Sequence, residues 1–123
     1  MRIYPTEFLY HAGQDAALDD SFAQAETYGK VKLGRKELFF KGTLRWYVGP
    51  FDRVLRIFRQ QDHVYGKLCA GGQDYDVHLL MLVLDDGSPL QLHIGNDRPM
   101  LLKAEQLYAA IQAAQPQLQY GKL

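Results

Sequence analysis

One segment carries three side chains that could do acid–base or metal chemistry. Asp74, Asp76 and His78 alternate along the chain, and alternation along a strand places all three on one face. Carboxylates beside an imidazole can transfer protons or bind a metal weakly. A structural zinc site needs four ligands, however, and neither a second histidine nor a cysteine stands at ligand spacing. The simpler interpretation is a strand that passes from solvent into the core, so we expect neither a metal nor a cofactor.

A possible nucleophile is the single cysteine of the chain, Cys69, which precedes Ala70-Gly71-Gly72. His78 could act as its base. A cysteine at the end of an apolar strand is usually buried and inert, and Gly71-Gly72 lacks the pattern of a phosphate-binding loop. We therefore expect a protein that is not an enzyme, and a small enzyme built on Cys69, Asp74, Asp76 or His78 is an alternative hypothesis.

Basic residues dominate the middle third of the chain. Residues 29–60 carry nine Lys or Arg against only Glu37 and Asp52, although the net charge of the whole chain is zero. On one face they could bind phosphates, a membrane surface or an acidic protein, whereas spread over several strands they form an ordinary solvated exterior. The nine are Lys30, Lys32, Arg35, Lys36, Lys41, Arg45, Arg53, Arg56 and Arg59. The candidate binding residues that we single out are Lys41, Arg45, Arg53, Arg56 and Arg59.

Aromatic residues interleave with these charges, which is a pattern also found in nucleic-acid platforms. Phe39, Phe40, Trp46 and Phe58 are more simply interpreted as core residues. Because the chain is also neutral overall, we expect no nucleic-acid partner.

The length of 123 residues fits one domain, residues 1–123, with a core of its own. One cysteine permits no internal disulfide, and the N-terminal residues lack the apolar core of a signal peptide. The longest apolar run, Leu79 to Leu84, is too short to cross a bilayer. We therefore expect no transmembrane segment and a cytoplasmic location.

The elements that must position these residues begin with an N-terminal helical extension, residues 1–30. Ser21 and Gln24 have capping-box spacing, and Gly29 suits the end of a helix, which predicts a helix from about Asp19 to Tyr28.

An antiparallel sheet is predicted over residues 31–95, because the apolar pattern changes there to a period of two. The expected strands run from Val31 to Phe40, from Leu44 to Val48, from Val54 to Arg59 and from Val64 to Cys69, with turns at Lys41-Gly42-Thr43 and at Gln60–His63. The clearest hairpin joins Tyr75–Leu84 to Leu90–Ile94 through Asp85-Asp86-Gly87.

A C-terminal amphipathic helix is predicted over residues 98–115. Its apolar stripe consists of Ala104, Leu107, Tyr108, Ile111 and Ala114. The tail from Gln117 is expected to be extended, with Leu118 and Tyr120 folding back onto the domain. The fold class is therefore α+β, with about six to seven strands.

This order of elements resembles the pleckstrin-homology-like (PH-like) fold, an antiparallel barrel or sheet closed by a C-terminal helix. The stretch from Gly34 to Gly121 also resembles a group of small, uncharacterised bacterial proteins. The segments that carry this likeness are Leu38-Phe39-Phe40, Tyr47-Val48, Arg53-Val54-Leu55-Arg56, Gly66-Lys67-Leu68-Cys69, and Pro116 with Tyr120-Gly121-Lys122.

The resemblance implies a non-enzymatic binding module with a protein partner, or with a second copy of itself. An alternative that it also implies is binding of a phosphoinositide or an anionic membrane surface, because such domains hold headgroups with Lys and Arg around a hairpin loop. Lys41 and Arg45 stand near the matching place in this sequence, beside a short Gly42-Thr43 loop.

Overall fold

In a computed structural model that describes residues 4–64 and 75–121, the chain forms an α+β structure. Two α-helices and eight strands are described. The helices are α1 (Ala16–Gln24) and α2 (Arg98–Ala114). The strands are β1 (Glu26–Tyr28), β2 (Val31–Leu33), β3 (Glu37–Lys41), β4 (Trp46–Pro50), β5 (Val54–Val64), β6 (Tyr75–Leu84), β7 (Pro89–Asn96) and β8 (Gln119–Tyr120).

The first sheet is an antiparallel meander in the order β1-β2-β3-β4. Directly opposite residues share a face of an antiparallel pair. Val31 pairs with Phe40 on the face that enters the main core, and Lys32 pairs with Phe39 on the other face. The first sheet therefore carries apolar side chains on both faces.

The second sheet has the order β7-β6-β5-β8. The hairpin predicted for Tyr75–Leu84 and Leu90–Ile94 is confirmed, with Gly87 at φ +86° in its turn. The tail is extended as expected, since β8 pairs in parallel with β5 through Arg56–Gln119 and Ile57–Tyr120.

The C-terminal helix is also confirmed, and it packs on both sheets. Ala104, Leu107 and Ile111 are each fully buried, and they join one core cluster with residues such as Phe40 and Leu82. A stripe at this spacing buries one side of the helix and leaves the other side in water.

The N-terminal helix lies earlier in the chain than predicted. It begins at Ala16 because the Asp15 carboxylate accepts hydrogen bonds from the amides of Ala17 and Leu18, which is the role of an N-cap. Ser21 therefore lies inside the helix. The helix ends at Gln24, and residues 26–28, predicted as helical, form β1 instead.

Two further predictions of the sequence analysis are wrong. The single strand predicted from Val31 to Phe40 is interrupted after Leu33, and its two halves pair antiparallel as β2 and β3. The turn at Gln60–His63 does not exist, because β5 continues to Val64 and pairs with β6 throughout. The expected α+β class with an antiparallel barrel or sheet is met in its coarser part, because the eight described strands, against the expected six to seven, divide between two sheets and close no barrel within residues 4–64 and 75–121. The strand predicted from Val64 to Cys69 lies, beyond Val64, outside the described residues.

Candidate functional site

Three of the nine basic residues meet at one end of the first sheet. The turn from β1 to β2 and the turn from β3 to β4 lie side by side there, and between them is a cleft of about 690 Å³. We call it the lysine cleft. Its lining consists of Thr27, Gly29, Lys30, Lys32, Lys41, Gly42, Thr43, Trp46 and His93. Of the described residues that line the cleft, none is acidic, so its cations face an opening without a built-in counter-charge.

Backbone contacts place two of these lysines beside each other. The Lys30 amide donates to the Ile94 carbonyl of β7 at 3.0 Å, and the Lys41 amide donates to the Lys30 carbonyl at 3.0 Å. Gly29 allows this arrangement, because its φ is +62° and a Cβ there would lie 2.2 Å from the Ile94 oxygen. The backbone of the cleft therefore depends on glycine at position 29, because no residue with a Cβ fits this conformation and close approach.

Aromatic rings contact the ammonium groups of Lys32 and Lys41. The Lys32 Nζ lies 4.0 Å from the centroid of the Phe22 ring of α1 and 5.5 Å from that of Trp46. The Lys41 Nζ lies 5.9 Å from the Trp46 centroid. Cation–π contacts of this kind are worth about 0.5–1 kcal/mol at exposed sites, so they orient a lysine without neutralising it.

A second depression lies on the far side of Trp46. Its volume is about 580 Å³, and it is lined by Tyr10, His11, Ala12, Phe22, Arg45 and Trp46. Arg45 is exposed at its rim. The described lining of this depression also lacks Asp and Glu. Trp46 thus separates two openings that both carry positive charge.

Tyr10 is part of the lining of this depression. Its burial, together with a hydrogen bond to Asp19, raises the pKa of Tyr10 to about 12. Tyr10 is therefore uncharged throughout the physiological pH range.

The arginines of β5 and the turn before it lie elsewhere and make structural contacts. The Arg53 Nε donates to Asp85 at 3.1 Å, which raises the pKa of Arg53, and its guanidinium stands 5.5 Å from the Phe8 ring centroid. Arg56 donates to the Gly121 carbonyl at 2.8 Å and to the Gln119 side chain. Arg59 lies opposite Leu80 in the second sheet. Of the five candidate residues, the structure brings only Lys41 and Arg45 to the cleft end.

Of the residues proposed for acid–base or nucleophilic chemistry, the structure describes Asp76 and His78. Asp76 pairs with His63, its Oδ1 lying 2.8 Å from the His63 Nδ1. His78 is 1% exposed, and its Nε2 lies 2.9 Å from the Asp97 carbonyl before α2. Both contacts tie neighbouring elements together. Asp74 and Cys69 lie outside the described residues, and among the described residues no group of three His, Cys, Asp or Glu could hold a metal ion.

Lys30 and Lys32 belong to the predicted basic set but were not singled out as binding residues, and sequence reasoning missed His93. Lys30 and Lys32 alternate, so one face of a strand at that position carries both charges. That signal was available. His93 comes from the second sheet, and only the approach of β7 to the first turn brings it to the cleft.

Comparison with protein-family models, with curated protein sequences and with solved structures finds no match. The described helices include none that is long and apolar enough to cross a membrane.

Proposed function

We propose that this protein is a non-enzymatic, PH-like binding module that holds an anionic group, such as a phosphate, in the lysine cleft. The observation that carries the proposal is the meeting of Lys30, Lys32 and Lys41 around one opening without an acidic lining residue. Lysine is a compact point charge with three rotatable donors, which suits a phosphate approached from several sides.

Two features of the fold support the PH-like part of the proposal. A four-stranded meander precedes a second antiparallel meander, β5-β6-β7, and an amphipathic helix follows both. The cleft lies between two hairpin turns of the first meander, where the resemblance implies a headgroup site. The candidate residues Lys41 and Arg45 lie at this end.

The phosphate could belong to a small molecule, to a lipid headgroup or to a modified or acidic partner protein. All three sources present the same chemistry to the lysines. The sequence-based hypothesis of a protein partner, or of a second copy of the chain, stays a prediction. Size-exclusion chromatography with light scattering, at several concentrations of the protein alone, tests whether two copies of the chain associate.

The test of the cleft uses inositol hexakisphosphate as a soluble polyphosphate probe. Trp46 is the only tryptophan of the chain, so its fluorescence reports binding beside Lys32 and Lys41 directly. We expect a saturable change that weakens steeply with added salt, because exposed charges are screened within about 10 Å at 0.1 M ionic strength.

The matched variants are Lys41→Ala in the cleft and Lys103→Ala on the exposed side of α2. We expect Lys41→Ala to weaken binding about tenfold, the equivalent of about 1.4 kcal/mol, and Lys103→Ala to leave it unchanged. Equal losses in both variants would mean that the probe senses only overall charge, and the proposed site would then be wrong.

A further inference from the structure

The two acidic residues of the basic middle third, Glu37 and Asp52, line the same pocket. This pocket has a volume of about 510 Å³. Glu37 is the first residue of β3 and Lys41 is the last, so the pocket lies at the end of β3 away from the lysine cleft. We call it the acidic pocket. Of its described lining residues, the charged ones are Glu37, Asp52 and Lys36, and this excess of negative charge favours a cationic ligand.

The Glu37 carboxylate is buried without a cationic partner. Glu37 is 8% exposed, whereas glutamate is almost never fully buried unless it is paired. Its Oε2 accepts a hydrogen bond from the Lys36 amide at 3.1 Å. The ion pairs within residues 4–64 and 75–121 are made by Arg53 and His63, and none of them includes Glu37. Because a buried charge costs free energy unless it is compensated, a cation bound beside this carboxylate would be stabilised.

Backbone hydrogen bonds fix the position of Glu37. The Gly34 amide donates to the Glu37 carbonyl at 2.9 Å, which closes the turn from β2 to β3. The Phe51 amide donates to the Lys36 carbonyl at 2.9 Å and ties the start of β3 to the segment that follows β4. The carboxylate therefore stands on ordered backbone, and a ligand would spend little free energy on ordering it.

Apolar side chains form another wall of the acidic pocket. Half-buried Val48 and Pro50 come from β4, and half-buried Leu18 comes from α1. Pro50 lies directly opposite Glu37 in the β3–β4 pair, so the carboxylate and this wall share one face of the first sheet. Apolar walls with a few polar groups, in a volume of about 300–1,000 Å³, are typical of small-molecule sites.

We infer that the acidic pocket binds a small organic amine, whose ammonium group donates to the Glu37 carboxylate and whose apolar body packs against Leu18, Val48 and Pro50. A metal ion is a poorer occupant, because the described part of the chain holds no group of three His, Cys, Asp or Glu suited to one. The inference goes beyond the proposed function, since it concerns a second pocket that selects the opposite charge.

The first experiment compares two ligands of one shape on the unchanged full chain. The ligands are 2-phenylethylamine, which is cationic at pH 7, and its neutral analogue 2-phenylethanol, each titrated and followed by ¹⁵N NMR. We expect the amine to shift the amide signals of Lys36 and Phe51 in a saturable way, and the alcohol to bind about tenfold more weakly, because charge-assisted hydrogen bonds are the stronger ones. Equal affinities, or no saturable shift with the amine, would overturn the inference.

Methylamine tests the apolar wall, because it carries the same charge without an apolar body. We expect it to bind about tenfold more weakly than 2-phenylethylamine, since it buries less apolar surface. Equal affinities of the two amines would refute the role of Leu18, Val48 and Pro50.

The matched variants are Glu37→Gln in the pocket and Glu105→Gln on the exposed side of α2. Glu37→Gln keeps an oxygen that can accept from the Lys36 amide and removes only the charge. We expect it to weaken amine binding about tenfold, and we expect Glu105→Gln to leave binding unchanged. Equal losses in both variants would mean that the amine senses only overall charge, and the inference would be wrong. If Glu37→Gln does not fold, the comparison of amine and alcohol on the unchanged protein decides.

A cross-test separates this inference from the proposed function. Glu37→Gln is expected to bind inositol hexakisphosphate as the unchanged protein does, and Lys41→Ala is expected to bind 2-phenylethylamine as the unchanged protein does. Amine binding without hexakisphosphate binding would refute the lysine cleft alone, and the reverse would refute the acidic pocket alone. Loss of amine binding in folded Lys41→Ala would overturn the assignment of the amine to the acidic pocket.

Discussion

The lysines at the turn end of the first sheet and the arginines of β5 and the turn before it carry the same charge in different settings. Arg53 and Arg56 are engaged by a carboxylate and by backbone carbonyls. Lys30, Lys32 and Lys41 line an opening, whereas the ion pairs of Lys or Arg with carboxylates among the described residues are made by Arg53. A cation used to hold strands together is not available to a ligand, so the lysines are the better candidates.

The largest effect on the cleft is expected at Gly29. In Gly29→Ala a Cβ would meet the Ile94 carbonyl at 2.2 Å in a backbone conformation with φ +62°. We expect a loss of about 3 kcal/mol in the free energy of unfolding, measured by urea denaturation, and loss of probe binding because Lys30 moves.

Gly87→Ala is the control for that variant. Gly87 also has a positive φ, +86°, but its Cβ would meet nothing within 4 Å. We expect a loss of about 1 kcal/mol from the backbone conformation alone. Similar losses in the two variants would contradict the close approach of the first turn to β7.

A smaller effect is expected when Arg56 and Lys41 are compared directly. Arg56→Ala removes hydrogen bonds to Gly121 and Gln119, and we expect about 2 kcal/mol less stability with unchanged probe binding. Lys41→Ala is expected to show the reverse, with stability changed by less than about 0.5 kcal/mol and probe binding weakened.

The distinct roles of Arg56 and Lys41 would be refuted if the two variants behaved alike in either stability or probe binding. Reduced probe affinity in Arg56→Ala at full stability would place that arginine in the site. Marked destabilisation by Lys41→Ala would show instead that the cleft lysine supports the fold.

The smallest expected effect concerns Tyr28, next to the cleft turn. Its hydrogen bond to Glu26, followed by burial, raises the pKa of Tyr28 to about 12. A raised pKa in the folded state favours the protonated phenol, so this stabilisation is present below pH 10 and is lost as the pH rises from about 10 to 12.

Urea denaturation of the unchanged protein and of Tyr28→Phe between pH 9 and 12 tests this, over the range set by the ordinary and raised pKa values. Both proteins lose lysine charge over that range, so only the difference between them reports the phenol. We expect the unchanged protein to lose stability more steeply. Parallel curves would show that the hydrogen bond has no effect on stability.

Much of the fold follows from local patterns in the sequence. The α2 stripe of Ala104, Leu107 and Ile111 repeats at helical spacing, and Asp85-Asp86-Gly87 separates two strongly apolar strands. Both predictions are confirmed. The pattern fails in β5, where polar residues 60–63 suggested a turn. Pairing with β6 keeps them extended. Their side chains are mostly exposed to solvent, so polar residues can occupy these strand positions without being buried.

The candidate site was less predictable, for a physical reason. Alternation of Lys30 and Lys32 indicates one shared face, but their neighbours depend on the register. Only the pairing of strands brings Lys41 beside Lys30, and only the contact between sheets adds His93. The structural roles of Arg53 and Arg56 were equally hidden from the sequence, because their partners lie 32 and 65 residues away in the chain.

The parallel pairing of β8 with β5 sets a constraint on the order of folding. The link from Arg56 to Gln119 joins residues 63 positions apart, so β5 keeps an unpaired edge until residues 119–121 have been synthesised. During synthesis the chain emerges from its N-terminal end, and an unpaired edge can recruit strands of other molecules. Residues 119–120 therefore cover part of the edge of a long strand, and we expect a chain that ends before Gln119 to be more prone to aggregate than one that includes β8.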